Sequence, residues 1–201
     1  MTANVHVLVL AAGASTRLGQ PKQLVRLGGR PALHIVLANA VTVAGNAVTV
    51  VIGANAQELT HMLAHSPASS IVNRHWEEGI AASIRCGLGS VPSSADAVMI
   101  LLGDQVCVSS DDLKRLLAAW NGQESRLAAA TYERHVGVPA ILPRACFSEL
   151  AQLRGDEGAR KILQRNPDRL IRVPMSNAAF DLDTEEDLAA LRTRFNSEAN
   201  S

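Results

Sequence analysis

The sequence carries no excess of charge of either sign. Nineteen lysines and arginines balance nineteen aspartates and glutamates over 201 residues, so no bulk field draws the chain to nucleic acid or a membrane surface. Any anion binding has to come from local clusters. Cysteine is scarce as well. Cys86, Cys107 and Cys146 are far apart, odd in number and share no C-x-x-C spacing, which argues against a disulfide framework or zinc site and for buried thiols in a reducing compartment. No apolar run reaches membrane-spanning length. The apolar start at 5–10 is too short for a signal-peptide core and no basic segment precedes it, so the expected location is the cytoplasm. Internal repeats and low-complexity segments are also missing.

What is present is a chain 47% hydrophobic, enough for one sizeable core. Short β-branched runs at 5–10, 47–52, 97–102, 127–132 and 170–173 read as strands, several apolar on both faces. Helical periodicity covers 31–44, 57–64, 80–88, the segment "SSDDLKRLLAAW" and the stretch after Thr184. Ser109 with Asp112, and Thr184 with Asp187, have capping-box spacing. Leu113, Leu116, Leu117 and Trp120 then share one face, as do Leu188, Leu191 and Phe195. Alternating strands and helices predict an α/β fold, a mostly parallel sheet with helices on both faces. "HSPASS" and "NGQES" read as surface turns and 196–201 as a frayed tail, leaving a single domain over 1–195.

Ligands of such sheets lie at the carboxyl ends of strands. The first strand runs into "LAAGASTRLGQPKQL", where Gly13 and Gly19 allow close backbone approach and Arg17 and Lys22 bring positive charge. Phosphate is the expected guest. Neither common phosphate loop fits, since five residues separate the glycines, Gln20 follows, and G-x-G-x-x-G is absent. That absence also counts against a hydride-transferring oxidoreductase. "VMILLGDQ" is a buried strand ending in Asp104, a carboxylate suited to Mg²⁺. "AAFDLDTEEDL" places Asp181 and Asp183 two apart on an extended segment, so both can face one way. One of them completes the metal site. Asp181 is favoured and both are kept, because Asp183 could serve the helix start. No G-x-S-x-G element or cysteine–histidine arrangement offers a nucleophile.

The first loop resembles the L-A-A-G-x-S-x-R-M-G-x-x-K signature of nucleotidyltransferases that activate cofactors and sugars, matching at Ala11, Ala12, Gly13, Ser15, Arg17, Gly19 and Lys22, with Leu18 in place of methionine. "FDLDTEEDL" resembles the D-[IL]-D-T-x-E-D segment of molybdenum cofactor cytidylyltransferases. "NRHWEEGIAASIRCGL" matches the N-x-x-W-x-x-G-x-x-x-S pattern of that branch through Asn73, Trp76, Gly79 and Ser83. "GVPAIL" and "GDEGARKIL" resemble its G-x-P and G-D-x-G-A-R segments. Val106 departs from the proline usual after G-D-Q. The likeness runs from about 5 to about 191 and implies a single-domain, Rossmann-like nucleotidyltransferase fold, with a nucleotide half near 1–105 and an acceptor half near 106–195.

It further implies CMP transfer from CTP to molybdopterin with Mg²⁺ or Mn²⁺. Arg17, Lys22 and Asp104 would be catalytic. Leu10, Ala11, Ala12, Gly13, Ser15, Arg17, Gly19, Lys22, Asn73, Gly79 and Ser83 would bind nucleotide. Gly137, Pro139, Gly155, Asp156, Gly158 and Arg160 would bind the acceptor, and Asp104, Asp181 and Asp183 the metal. Gly79 before a helix should leave backbone N–H groups for an anion, and Trp76 is expected in the core. An alanine at Ala12 accompanies cytidine in the family where glycine accompanies guanine. A molybdenum hydroxylase is the implied transient partner, with no nucleic acid and no membrane. "PKQL" also occurs in isoprenoid cytidylyltransferases, so another phosphorylated acceptor stays open, as does a silent nucleotide-binding adaptor.

Overall fold

The structure, a computed structural model, describes residues 3–133 and 135–199. In chain order the strands are β1 (Val5–Ala11), β2 (Arg26–Leu27), β3 (Arg30–Pro31), β4 (Val48–Ile52), β5 (Ser69–Val72), β6 (Ala97–Leu102), β7 (Leu127–Tyr132), β8 (His135–Pro143) and β9 (Leu170–Pro174). The α-helices are α1 (Ala32–Ala44), α2 (Ala56–Leu63), α3 (Ile80–Leu88), α4 (Ser110–Trp120), α5 (Phe147–Ala151), α6 (Ala159–Arg165) and α7 (Glu185–Ala199).

One sheet has the order β5-β4-β1-β6-β8-β7-β9, and β2 pairs with β3 in a small hairpin. Every pairing in the large sheet is parallel except those of β8, which runs against both β6 and β7. The fold is thus the mostly parallel α/β sheet predicted from the alternating pattern.

Side chains alternate across the strands, so each face collects its own core. Val5, Val7 and Val9 of β1 pack with Leu33 and Val36 of α1, Leu113 and Leu116 of α4, and Leu188 and Leu191 of α7. Leu8 and Leu10 face Ile84 of α3, Leu150 of α5 and Ile162 and Leu163 of α6. Helices therefore cover both faces, which is why β1 and β4 are buried throughout, their two polar side chains, His6 and Thr49, hydrogen-bonding each other at 2.9 Å.

Both capping boxes form. The Ser109 hydroxyl accepts from the Asp112 N–H at 3.1 Å while Asp112 accepts from the Ser109 N–H at 3.0 Å. Thr184 and Asp187 repeat the exchange ahead of α7, at 2.8 and 3.2 Å. Three details differ from expectation. "HSPASS" gives its last two residues to β5, an exposed edge strand held only by β4. Helix α7 continues through 196–199 where a tail was expected, and residues 200–201, like 1–2, lie outside the described residues. Strand β8 was not predicted because it contains Pro139, which has no N–H for a ladder. It is accommodated because β7 and β8 change register between Ala129 and Ala130, leaving Val138 and Pro139 outside the pairing.

Candidate active site

Strand β1 lies between β4 on one side and β6 on the other, so the connections leaving it diverge and a crevice opens at the carboxyl ends. Leu10 and Leu102 are register partners there. Gly103, next along, donates its N–H to Leu10 O at 2.9 Å, and a Cβ at Gly103 would lie 2.9 Å from that of Ala11. Only a glycine brings the two strand ends this close. The crevice is a cavity of about 510 Å³ whose walls include Leu10, Ala11, Ala12, Gly13, Arg17, Lys22, Gly79, Ser83, Asp104, Asp156, Asp181 and Asp183.

Its acidic side is densely coupled. Lys22 Nζ donates to Asp104 and, at 2.9 Å, to Asp183, and Arg17 reaches the other Asp183 oxygen at 2.7 Å. Burial disfavours the charged amine, yet the two carboxylates outweigh it and hold the Lys22 pKa above its ordinary value. Asp104 is 6% exposed, and its second oxygen, Oδ1, is buried without a hydrogen-bond partner. A buried anionic oxygen without a partner is costly unless a cation completes it. Asp181 opens onto the cavity but is crowded by protein. Desolvation first, then the charges of Asp104 and Asp183, push its carboxyl up to about 6.

The loop owes its shape to a residue the sequence reading did not single out. Gln23, 1% exposed, donates from Nε2 to Ala11 O at 3.0 Å and Gly13 O at 3.1 Å. Ser15, in the left-handed region at φ 58°, donates its hydroxyl to Gln23 and accepts from the Lys22 N–H at 3.1 Å. Ser15 therefore shapes the loop from outside the cavity lining, and Gly19, at φ 69°, also lies outside it. "PKQL" contained the signal, a glutamine between a cation and leucine, but not its burial.

At the start of α3, two expectations need correction. Gly79, at φ 95°, is required by close approach: a Cβ there would come within 2.5 Å of Gly155 O and 2.6 Å of Asp156. The docked 155–156 turn takes the Ala81 N–H at 3.0 Å, and Gly79 O takes that of Ala82 at 3.2 Å, so these helix-start donors are spent within the chain. Trp76 is half-buried and lines the cavity, while the tryptophan of the core is Trp120. The reason is local, since the short turn before Gly79 turns Trp76 toward the crevice instead of onto the sheet. Asn73 is buried behind the wall and donates to the Ser83 hydroxyl at 3.1 Å.

The remaining predicted residues lie beyond the cavity lining. Gly137 and Pro139 belong to β8, Gly155 is in the turn against Gly79, Gly158 precedes α6, and exposed Arg160 approaches His135 at 3.4 Å. Tyr132 links this side to the carboxylates. Burial and then the Asp181 charge raise its phenol pKa, while Arg160 pulls it down. In the sequence, Tyr132 is marked only as the end of an apolar run.

Similarity to known proteins agrees with this geometry. The MobA-like NTP transferase domain matches residues 7–170. Purine catabolism protein PucB of Bacillus subtilis is 31% identical over 194 residues, covering 91% of this chain and 93% of that one. Nicotine blue oxidoreductase of Paenarthrobacter nicotinovorans is 27% identical over 195 residues, covering 92% and 94%. Rv0371c from Mycobacterium tuberculosis H37Rv, solved as a complex with manganese, superposes with a TM-score of 0.77 at 25% identity, covering 96% of this chain and 100% of that one. With the loop, the strand-end carboxylate and the sheet order all in agreement, the chain belongs to the MobA-like NTP transferase family and is a nucleotidyltransferase.

Proposed function

We propose that the protein transfers CMP from CTP to the terminal phosphate of molybdopterin, releasing pyrophosphate. The observation that carries this reading is the meeting of the 12–22 loop with Asp104, whose buried Oδ1 has no partner, and with Asp181 and Asp183 in one cavity. These oxygens fit Mg²⁺ or Mn²⁺. Among the described residues no three His, Cys, Asp or Glu side chains converge to hold a metal, so Asp104 would act with one of Asp181 and Asp183, and the rest of the shell would come from water and substrate phosphates. When bound, the ion would supply Lewis-acid polarisation of phosphoryl oxygens.

The chain supplies placement and charge. Gly13 would let backbone approach the triphosphate, Arg17 and Lys22 would neutralise it, and Asp104 with Asp181 or Asp183 would hold the ion. An acceptor phosphate oxygen then bonds to the α-phosphorus in line as the bond to the bridging oxygen of pyrophosphate breaks, with no side-chain nucleophile. Ala12, at the cavity wall, narrows the space beside the base and favours CTP over GTP. The acceptor would lie toward Asp156, Tyr132 and Arg160, so that the nucleotide half is about 1–105 and the acceptor half about 106–195. A molybdenum hydroxylase in the cytoplasm would receive the product. Among the described residues no helix is long and apolar enough to cross a membrane.

The Paenarthrobacter relative's name supports a second reading, oxidoreductase chemistry. The cavity favours it less, because its charged groups are grouped as a phosphate loop facing strand-end carboxylates. Asp104→Asn decides between them. It should keep the fold and lower pyrophosphate release from CTP by about 10²-fold or more, the scale of losing one electrostatic stabiliser. Unchanged release would remove Asp104 from the metal site, and NAD(P)H oxidation without any pyrophosphate release would favour the second reading.

A further inference from the structure

Gln105 follows Asp104 and is 1% exposed, more deeply buried than the carboxylate it adjoins. Its side chain joins three segments of the site. Oε1 accepts from the Leu102 N–H at 3.3 Å, closing the turn that presents Asp104. Nε2 donates to Val138 O at 2.9 Å and to Ala178 O at 3.4 Å. Val138 is available because the β7–β8 register runs from Ala130↔Gly137 to Ala129↔Ala140, which leaves Val138 and Pro139 outside the ladder. Ala178 lies three residues before Asp181, and its neighbour Asn177 is fixed from the other side by a 3.0 Å bond to Asp112 of α4.

We propose that Gln105 is a positioning residue, which sets the placement of Asp104 relative to Asp181 and Asp183 on one side and to the Pro139 segment on the other. A primary amide suits this task because it carries two donors and an acceptor without charge. A methionine of similar length leaves two buried carbonyls unsatisfied, and a glutamate of the same shape turns both donors into acceptors that repel them. The effect on turnover rests on the transferase reading above, whereas the structural coupling does not.

The test uses the full chain as wild type, Gln105→Met and Gln105→Glu, followed by amide hydrogen exchange. Exchange should accelerate by about tenfold in both 136–140 and 176–183, the consequence of a lost buried hydrogen bond, while β1 keeps its protection. With CTP, kcat for pyrophosphate release should fall about 10–100-fold, as expected for an ångström-scale misplacement, while KM for CTP changes by less than about threefold. Wild-type exchange in the two segments of both variants overturns the proposal. So does protection lost equally from β1, or unfolding of both variants, because Gln105 would then be a general stabiliser. A wild-type protein that releases no pyrophosphate counts against the transferase reading and leaves the exchange comparison to decide the role of Gln105.

Discussion

At the scale of residues, the site is a set of charges that the chain holds together with its own cation. Lys22 bonds Asp104 and Asp183 at once, so Lys22→Met should leave those carboxylates facing each other and cost about 3 kcal/mol in urea unfolding, the scale of breaking a buried pair. Mn²⁺ should then raise the melting temperature of Lys22→Met more than that of wild type, because its charge would replace that of the missing ammonium. Asp181 gives a pH test. Its folded pKa of about 6 exceeds the ordinary 3.8, so stability is greatest while the group is protonated and is lost as pH rises through that window. Asp181→Asn should remove the loss. After discounting for exposure to about 1 kcal/mol, the metal-free variant should melt about 2–4 °C above wild type at pH 7 and equal it at pH 4. The three aspartates were legible because their motifs carry them. Gln23 and Tyr132 were not, since their roles depend on which carbonyls and charges folding brings beside them.

At the scale of elements, the capping pattern was readable because Ser109 and Asp112, or Thr184 and Asp187, meet their partners within one turn. What the spacing could not reveal is that Asp112 also accepts from Asn177 at 3.0 Å and so ties α4 to the segment before Asp181. Burial pushes the Asp112 carboxyl up, but bonds from Asn177, Ser109 and Arg115 outweigh it and hold its pKa below the ordinary value. Its stabilisation is therefore present above pH 3.8 and disappears as pH falls further. Asp112→Asn should lose about 1–3 kcal/mol at pH 7, the scale of charged hydrogen bonds, and show a flatter acid limb in unfolding measured against pH. β8 escaped prediction for a related reason. A proline inside a buried strand is tolerable only where the partner strand slips register, and that slip is a property of the β7–β8 pair.

At the scale of the whole molecule, the parallel order around β1 and the helices on both faces follow from runs apolar on both sides, whereas the reversal at β8 and the edge position of β5 do not. The reversal matters to the site, since β8 pairs with β6 through 140–143 and Gln105, next to Asp104, then bonds Val138 between Gly137 and Pro139. One sheet thereby brings the 12–22 loop and the carboxylates Asp104, Asp181 and Asp183 to a common crevice. The decisive measurement is pyrophosphate release from CTP, GTP and ATP with Mg²⁺ or Mn²⁺, each with and without molybdopterin. Release from CTP that depends on molybdopterin is the expected result. Release that requires a different acceptor or nucleotide, or none from any nucleotide that binds, would refute cytidylyl transfer to molybdopterin.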